Sequence, residues 1–267
     1  MDLATVIGLA LGLIGIFGGS LIEGGSPMAL VQLPAAMIVF GGTIGATFIS
    51  FPMQRIAGLL KFIAQAFKKP AVNEEEIVTL FVRMADKARR EGLLSLEDDA
   101  QKIHDEFLRK GMLLMIDGTD PELVRNILEI DMEAQEKRHH GNAAVLEAMG
   151  GYAPTMGIIG TVLGLISVLA QLDNPAEAGH GIATAFIATF YGVFTANVLW
   201  LPLAGKLKAK SGIELHMRQA MLEGIQSIQA GDNPRIVKEK LDGFLAPGAR
   251  SKDTKVGSSS SSGEAAA

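Results

Sequence analysis

The chemistry available inside the apolar part of this chain is hydroxyl chemistry. Thr43, Thr47, Ser50, Thr161, Ser167, Thr184, Thr189, Tyr191 and Thr195 lie in long stretches that hold no Asp, Glu, Lys or Arg. A hydroxyl donates and accepts hydrogen bonds but does not titrate in the physiological range. Such side chains can line a route for water or an ion. They cannot bind and release the ion alone, a task that an ionisable group at mid-depth usually performs. Either this chain moves no ion, or a partner chain lends the acid. An Asp at mid-membrane costs at least roughly 2.5–3.5 kcal/mol unless it is shielded. A helix face of small residues with a threonine nearby offers it a hydrogen-bonding wall.

Other chemistries find little support. There is no cysteine, so disulfides and thiolate sites are excluded. Five histidines are present, but no His-x-x-x-His pair occurs. His139 and His140 are adjacent, so on a helix they point about 100° apart. No metal or cofactor is expected. Ser20 and His180 invite a serine–histidine hydrolase, but no Gly-x-Ser-x-Gly elbow occurs and His180 falls at a span end. The chain is read as a non-enzyme. A net charge of -5, without a basic patch interleaved with aromatics, gives no reason to invoke nucleic acid.

Elements that would position the hydroxyls follow from charge segregation. All 24 Lys and Arg fall between Arg55 and Arg138 or between Lys206 and Lys255. A mean hydropathy of +0.29 is high for a soluble domain. Four uncharged stretches, Leu3–Ile22, Gly24–Gln54, Ala148–Leu172 and Ala178–Gly205, are long enough to cross a bilayer. Spans are placed at 3–22, 31–51, 148–171 and 181–204. The first is read as a retained span, because its start carries no basic residue and no clear cleavage site follows. The short connections carry Glu23, Asp173 and Glu177 and no basic residue. By the positive-inside rule the large loop and both termini are cytoplasmic.

The expected organisation is an all-α integral membrane protein: four transmembrane helices with a helical cytoplasmic domain between helices 2 and 3. Residues 1–51 hold spans one and two, 52–147 the cytoplasmic domain, 148–204 spans three and four, 205–246 C-terminal cytoplasmic helices, and 247–267 a disordered tail. In the loop, Asn73 before Glu74-Glu75-Glu76 reads as a helix N-cap. A second helix opens at Ser95 and runs through Ile103, Phe107 and Leu108, with Gly111 and Asp117-Gly118 as breaks. A third starts at Thr119-Asp120-Pro121-Glu122 and runs towards span three as a stalk. The tail is helical from Glu214 to about Ala230 and again near Pro234–Leu245.

Glycine costs a helix in water roughly 1 kcal/mol against alanine, yet Gly157, Gly160 and Gly164 crowd span three beside Pro154. In lipid, helices associate by close contact, so small residues mark touching faces. Ala153, Gly157, Gly160, Thr161 and Gly164 fall on one stripe, and span four supplies Ala185, Ala188-Thr189 and Gly192.

MDLATVIGL, MADKARREGLLSLED, YAPTMGIIGTVLGLI, TAFIATFYGVFTANVLWLPLAGKL and EGIQSIQAGDNPRIV occur in this order. In these strings the chain resembles the MotA/PomA family, ring-forming subunits of the bacterial flagellar stator, within the group that includes TolQ and ExbB. The resemblance extends to about Leu245 and implies a multi-pass protein of the bacterial inner membrane. Five copies would surround two copies of MotB, a single-span partner with an essential membrane Asp. Ion flow would turn the ring, and the loop would press on the rotor protein FliG. The resemblance assigns rotor contact to Arg89, Arg90 and Glu97, conformational coupling to Pro154 and Pro202, and the ion path to Thr161 and Thr189. Sodium-driven relatives carry a threonine pair before the Tyr-Gly of span four. Here the pair is Ala188-Thr189, which favours H+, while Thr161 and Thr189 keep Na+ open.

The nearest alternative is an energiser of the ExbB/TolQ kind, coupled to the outer membrane. Such relatives usually have three spans and an outward N-terminus. The extra span and the Arg89/Glu97 loop argue against it. A passive scaffold would leave motility indifferent to Arg89 or Pro154.

Overall fold

The computed structural model describes residues 2–68 and 74–245. The Asn73 cap and the 247–267 tail lie outside these residues. Every regular element described is helical. The elements are α1 Leu3–Ile22, α2 Leu33–Ser50, α3 Met53–Ala57, α4 Leu59–Phe67, α5 Glu74–Glu91, α6 Glu97–Gln101, α7 Glu106–Ile116, α8 Pro121–Ala170, α9 Pro175–Gln229 and α10 Pro234–Asp242. Four of them, α1, α2, α8 and α9, are long and apolar enough to cross a membrane.

The chain divides into two compact units, 1–70 with 135–212 and 71–134 with 213–267. In the first, α1 is apolar all round and buries no residue against its own chain. Such a helix suits an apolar solvent and not water. It stops at Gly24, whose φ of +84° favours glycine. Helix α2 opens with Pro34 in its first turn and widens into a π turn at Met37–Gly41. It ends where Phe51 turns extended before Pro52.

A polar knot lies at the start of α1. Lys206 on α9 holds the Asp2 carboxylate at 2.6 Å, with Lys210 at 3.9 Å. The Asp2 amide donates to the Phe67 carbonyl at 2.8 Å. Lys210 also donates to the carbonyls of Gln65 (3.0 Å), Ala66 (2.7 Å) and Lys68, and so closes the C-terminus of α4. The Lys206 ammonium, by its hydrogen bond, holds the Asp2 carboxyl below its usual range. Burial pulls the Lys210 ammonium down. The apolar face of α4 packs Leu59, Ile63, Ala66 and Phe67 onto Leu146, Met149, Leu203 and Ala204.

The second unit is built around Phe81, Met84, Leu96, Met112, Met115, Leu128, Ile225 and Leu241. Three helix starts there are capped by side chains. The Asp105 carboxylate accepts from the Leu108 amide at 2.8 Å, and Asn233 accepts from Arg235 at 3.0 Å. Asp120 accepts from Glu122 at 2.9 Å and Leu123 at 3.3 Å, so the Asp120-Pro121 start expected from sequence is where α8 begins.

Two expectations about breaks need correction. Gly111 does not interrupt a helix; it lies buried inside α7. A Cβ there would lie 2.9 Å from the Leu128 Cδ1 and would also strike Ile225, so the glycine serves close helix approach. The helix expected from Ser95 is a 3-10 turn, Leu93–Leu96, followed by α6, and the chain breaks again before Asp105 caps α7. Span four and the tail helix are one continuous helix, α9, which runs through Gly205 and Gly212. Helix α8 likewise runs through Gly141 and Pro154 without a break.

Candidate functional site

The apolar halves of α8 and α9 meet along a seam of small residues. Ala153, Gly157, Gly160 and Gly164 on α8 are buried, as are Gly181, Ala185, Ala188 and Gly192 on α9. Both sets follow a four-three-four spacing, and the two helices run antiparallel. A Cβ at Gly157 would lie 2.9 Å from the Ala188 carbonyl oxygen and 3.2 Å from the Thr189 Cα. One at Gly164 would lie 2.9 Å from the Gly181 oxygen and 3.0 Å from the Ala185 Cα. Backbone therefore faces backbone, which a larger residue would forbid.

This close approach brings Thr161 and Thr189 together. Their hydroxyls are hydrogen-bonded to each other. The Thr161 oxygen also lies 3.1 Å from the carbonyls of Gly157 and of Ala185. Each hydroxyl has one hydrogen. When Thr161 gives its own to a carbonyl, Thr189 donates to Thr161; when Thr161 donates to Thr189, the carbonyls go without it. Rotating either hydroxyl frees a donor or an acceptor at no cost in charge. Ala188 is fully buried, and a Cβ at Gly160 would lie 2.5 Å from its methyl. It lends no oxygen to this place.

Pro154 lies within α8, half-buried, and Gly192 covers it from α9. A Cβ at Gly192 would stand 3.1 Å from the Pro154 Cα. Pro202 follows a π turn at Thr195–Trp200. The proline ring crowds the carbonyl four residues earlier, and the widened turn leaves room for it. The Thr195 hydroxyl donates to the Tyr191 carbonyl at 2.7 Å inside the same segment.

Sequence reading singled out neither Gln32 nor the role of Tyr191. The Tyr191 hydroxyl donates to the Leu30 carbonyl and accepts from the Gln32 amide at 3.2 Å. The Thr184 hydroxyl lies 3.4 Å from the Gln32 side-chain oxygen and 3.0 Å from the His180 carbonyl of its own helix, and its one hydrogen serves one of the two at a time. These bonds tie the entry of α2 to α9. The signal available in the sequence was that Gln32 is the lone carboxamide between Gly24 and Met53.

Arg89, Arg90 and Glu97 all lie exposed in the second unit. Arg90 is engaged by Asp86 on its own helix at 3.0 Å. Arg89 and Glu97 form no ion pair among the described residues. Between them the chain turns at Gly92, with φ 84° and ψ 163°. That region is accessible essentially only to glycine. Lys87 on α5 braces Asp99 on α6 at 2.8 Å. The pair's hydrogen bond pushes the Asp99 carboxyl down and the Lys87 ammonium up. Gly92→Ala is expected to destabilise this turn by roughly 1–3 kcal/mol. Protease cleavage between α5 and α6 should rise in the full chain, and an unchanged cleavage pattern would refute the strain.

Two families match by sequence: the MotA/TolQ/ExbB proton channel family over residues 99–220, and the Motility protein A N-terminal family over residues 6–92. Motility protein A of Bacillus subtilis is 39% identical over 246 residues, covering 92% of this chain and 91% of that protein. Chemotaxis protein PomA of Vibrio alginolyticus is 35% identical over 250 residues, covering 94% and 98%. The solved structure of C. jejuni MotAB superposes with a TM-score of 0.88 at 34% identity, covering 92% of this chain and 97% of that one. The flagellar MotAB stator complex from Bacillus subtilis gives 0.86 at 39% identity, covering 91% and 96%. The seam, the four long apolar helices and these relatives lead to one conclusion: the chain belongs to the MotA/TolQ/ExbB proton channel family, among its motility protein A members.

Proposed function

We propose that this chain is the ring-forming subunit of a flagellar stator and, with a MotB-like single-span partner, forms a proton channel whose ion flow drives rotation. One observation carries the reading. A hydroxyl pair, Thr161 with Thr189, is held by a backbone-tight seam between helices without a single charged side chain in their apolar parts. The pair can solvate a carboxyl group brought by a neighbour, protonated or ionised, by turning a hydroxyl. It cannot take the proton itself.

Proton transfer is the chemistry that suits this site. Na+ asks for several oxygens at once. Here one of the two tandem positions is the buried Ala188, and the two hydroxyls are engaged with each other and with main-chain carbonyls. Each proton falling through the membrane potential supplies about 2.3 kcal/mol per 100 mV. Pro154 under Gly192, and Pro202 beside its π turn, are the places where the helices can flex in response. The second unit would face the cytoplasm, as the basic residues demand, and meet the rotor protein FliG through Arg89, Arg90 and Glu97. Five chains around two partners, with both termini inside, complete the proposed assembly. In this reading the chain is a conduit and lever, not a catalyst.

The test is reconstitution in vesicles with a single-span partner that carries a membrane Asp, under an imposed potential. Proton uptake is expected only with both chains, and Asp→Asn in the partner should abolish it. Conduction by this chain alone, or conduction that survives Asp→Asn, would overturn the proposal.

A further inference from the structure

The turn between α5 and α6 has a feature that charges alone do not account for. It reads Gly92-Leu93-Leu94-Ser95-Leu96. Leu93 packs against the second unit's core, and Leu96 is fully buried. Leu94 points the other way and is 75% exposed, more than Ile130 at 66% or Leu123 at 51%. Within this unit it is the most exposed large apolar side chain among the described residues.

A single exposed leucine is ordinarily of no consequence. What sets this one apart is how firmly it is presented. The Gly92 amide donates to the Ala88 carbonyl at 2.8 Å, which finishes α5. The Ser95 hydroxyl and amide both return to the Gly92 carbonyl, at 2.7 and 3.2 Å. Gly92 holds a backbone conformation closed to other residues. The Lys87–Asp99 pair at 2.8 Å spans the turn from behind. Leu94 thus stands on a braced turn and loses little freedom when it docks, the condition under which an anchor binds well. Along the chain, exposed charges lie on both sides of it: Arg89, Arg90 and Glu91 before the turn and Glu97 after it, with Arg90 held by Asp86 and neither Arg89 nor Glu97 in an ion pair among the described residues. Desolvated apolar centre and charged rim is the anatomy of a protein-binding patch.

We propose that Leu94 is the apolar anchor of the partner contact flanked by Arg89 and Glu97. This inference rests on the rotor-contact reading above. The occupant is a protein surface with an apolar recess, bordered by an acidic side chain that meets Arg89 and a basic one that meets Glu97. The charges set orientation and register. The leucine supplies the contact that holds under load and in salt, because exposed ion pairs are screened and burial is not.

The test uses the full chain with its single-span partner in motile cells. Leu94→Asn, Leu94→Met and Arg89→Glu are compared for stall torque, for the number of complexes engaged at a motor and for proton conduction. Leu94→Asn is expected to reduce engagement roughly tenfold or more, with conduction and membrane level unchanged. Leu94→Met should restore most of it. Raising salt in a binding assay on detergent-solubilised complex and rotor should weaken the wild type less than Leu94→Asn. If Arg89→Glu impairs torque and Leu94→Asn does not, the anchor role is overturned while the rotor reading survives. If neither variant changes torque, the rotor reading itself falls. If Leu94→Asn lowers the amount of assembled complex, Leu94 belongs to a contact between copies or to lipid, and the inference is overturned.

Discussion

Gly192→Leu is expected to leave no assembled, conducting complex. The reason is what lies opposite. A Cβ at this position would stand 3.1 Å from both the Ala153 carbonyl carbon and the Pro154 Cα, and would collide with the Ala153 oxygen. These are main-chain atoms, so no side chain can turn away to relieve the clash. Overpacking a core typically costs 1–3 kcal/mol. Here the helices themselves must part, and parting breaks the contacts of Gly157 with Ala188 and of Gly164 with Ala185 along the same seam. The Thr161–Thr189 bond would go with them. Gly212→Ala, whose added methyl meets nothing within 4 Å, is the control. Membrane level and the melting temperature of the detergent-extracted complex provide the measurement. A wild-type melting temperature for Gly192→Leu would show that the seam is not the packing surface described.

Arg89→Glu should have an equally large effect of a different kind: motility lost, assembly intact. Arg89 is exposed and makes no ion pair among the described residues, so its replacement removes nothing that holds the second unit together. Surface substitutions of this sort usually alter stability by less than about 0.5 kcal/mol. At the proposed rotor contact, by contrast, a reversed charge sets like against like, which costs several kcal/mol. Torque should fall by at least roughly tenfold, while complex yield and proton conduction with the partner stay at the wild-type level. Cells that swim normally would remove Arg89 from the contact. Loss of the complex would make Arg89 a structural residue.

The contrast between the two variants reflects how differently the two halves of the chain are built. The membrane part is held by geometry at glycine contacts, with no charge to spare. The second unit is held by an ordinary apolar core that includes Phe81, Met112 and Ile225, and its exposed Arg89 and Glu97 make no ion pair among the described residues. Glycine takes opposite meanings in one chain. Gly92 is required by its own backbone angles, whereas Gly157 and Gly192 are required by the main chain of a neighbouring helix.

Much was legible in one dimension. The four long apolar helices follow from uncharged runs of bilayer length and from the absence of basic residues in 1–54 and 139–205. The start of α8 follows from Asp120-Pro121, because capping is settled within a few residues of chain. The stripe of small residues on span three was also readable, since helical spacing alone puts them on one face. Of its counterpart on span four, Ala185, Ala188 and Gly192 were readable as small residues, but neither Gly181 nor the register was.

Tertiary structure decided the rest. Whether Gly111 breaks a helix or admits one depends on Leu128 and Ile225, which lie opposite only after folding. The bond between Thr161 and Thr189 crosses 28 positions. That of Tyr191 to Leu30 crosses 161, and Lys210 reaches back to Asp2. None of these partners is implied by local spacing, because each depends on the antiparallel register and the distance at which two helix faces come to rest. The sequence determined which segments enter the apolar phase and which faces are small enough to touch. Only the packed helices decided which hydroxyl meets which, because a hydrogen bond forms over about 3 Å and that length is set by the closest backbone contact, not by the order of residues.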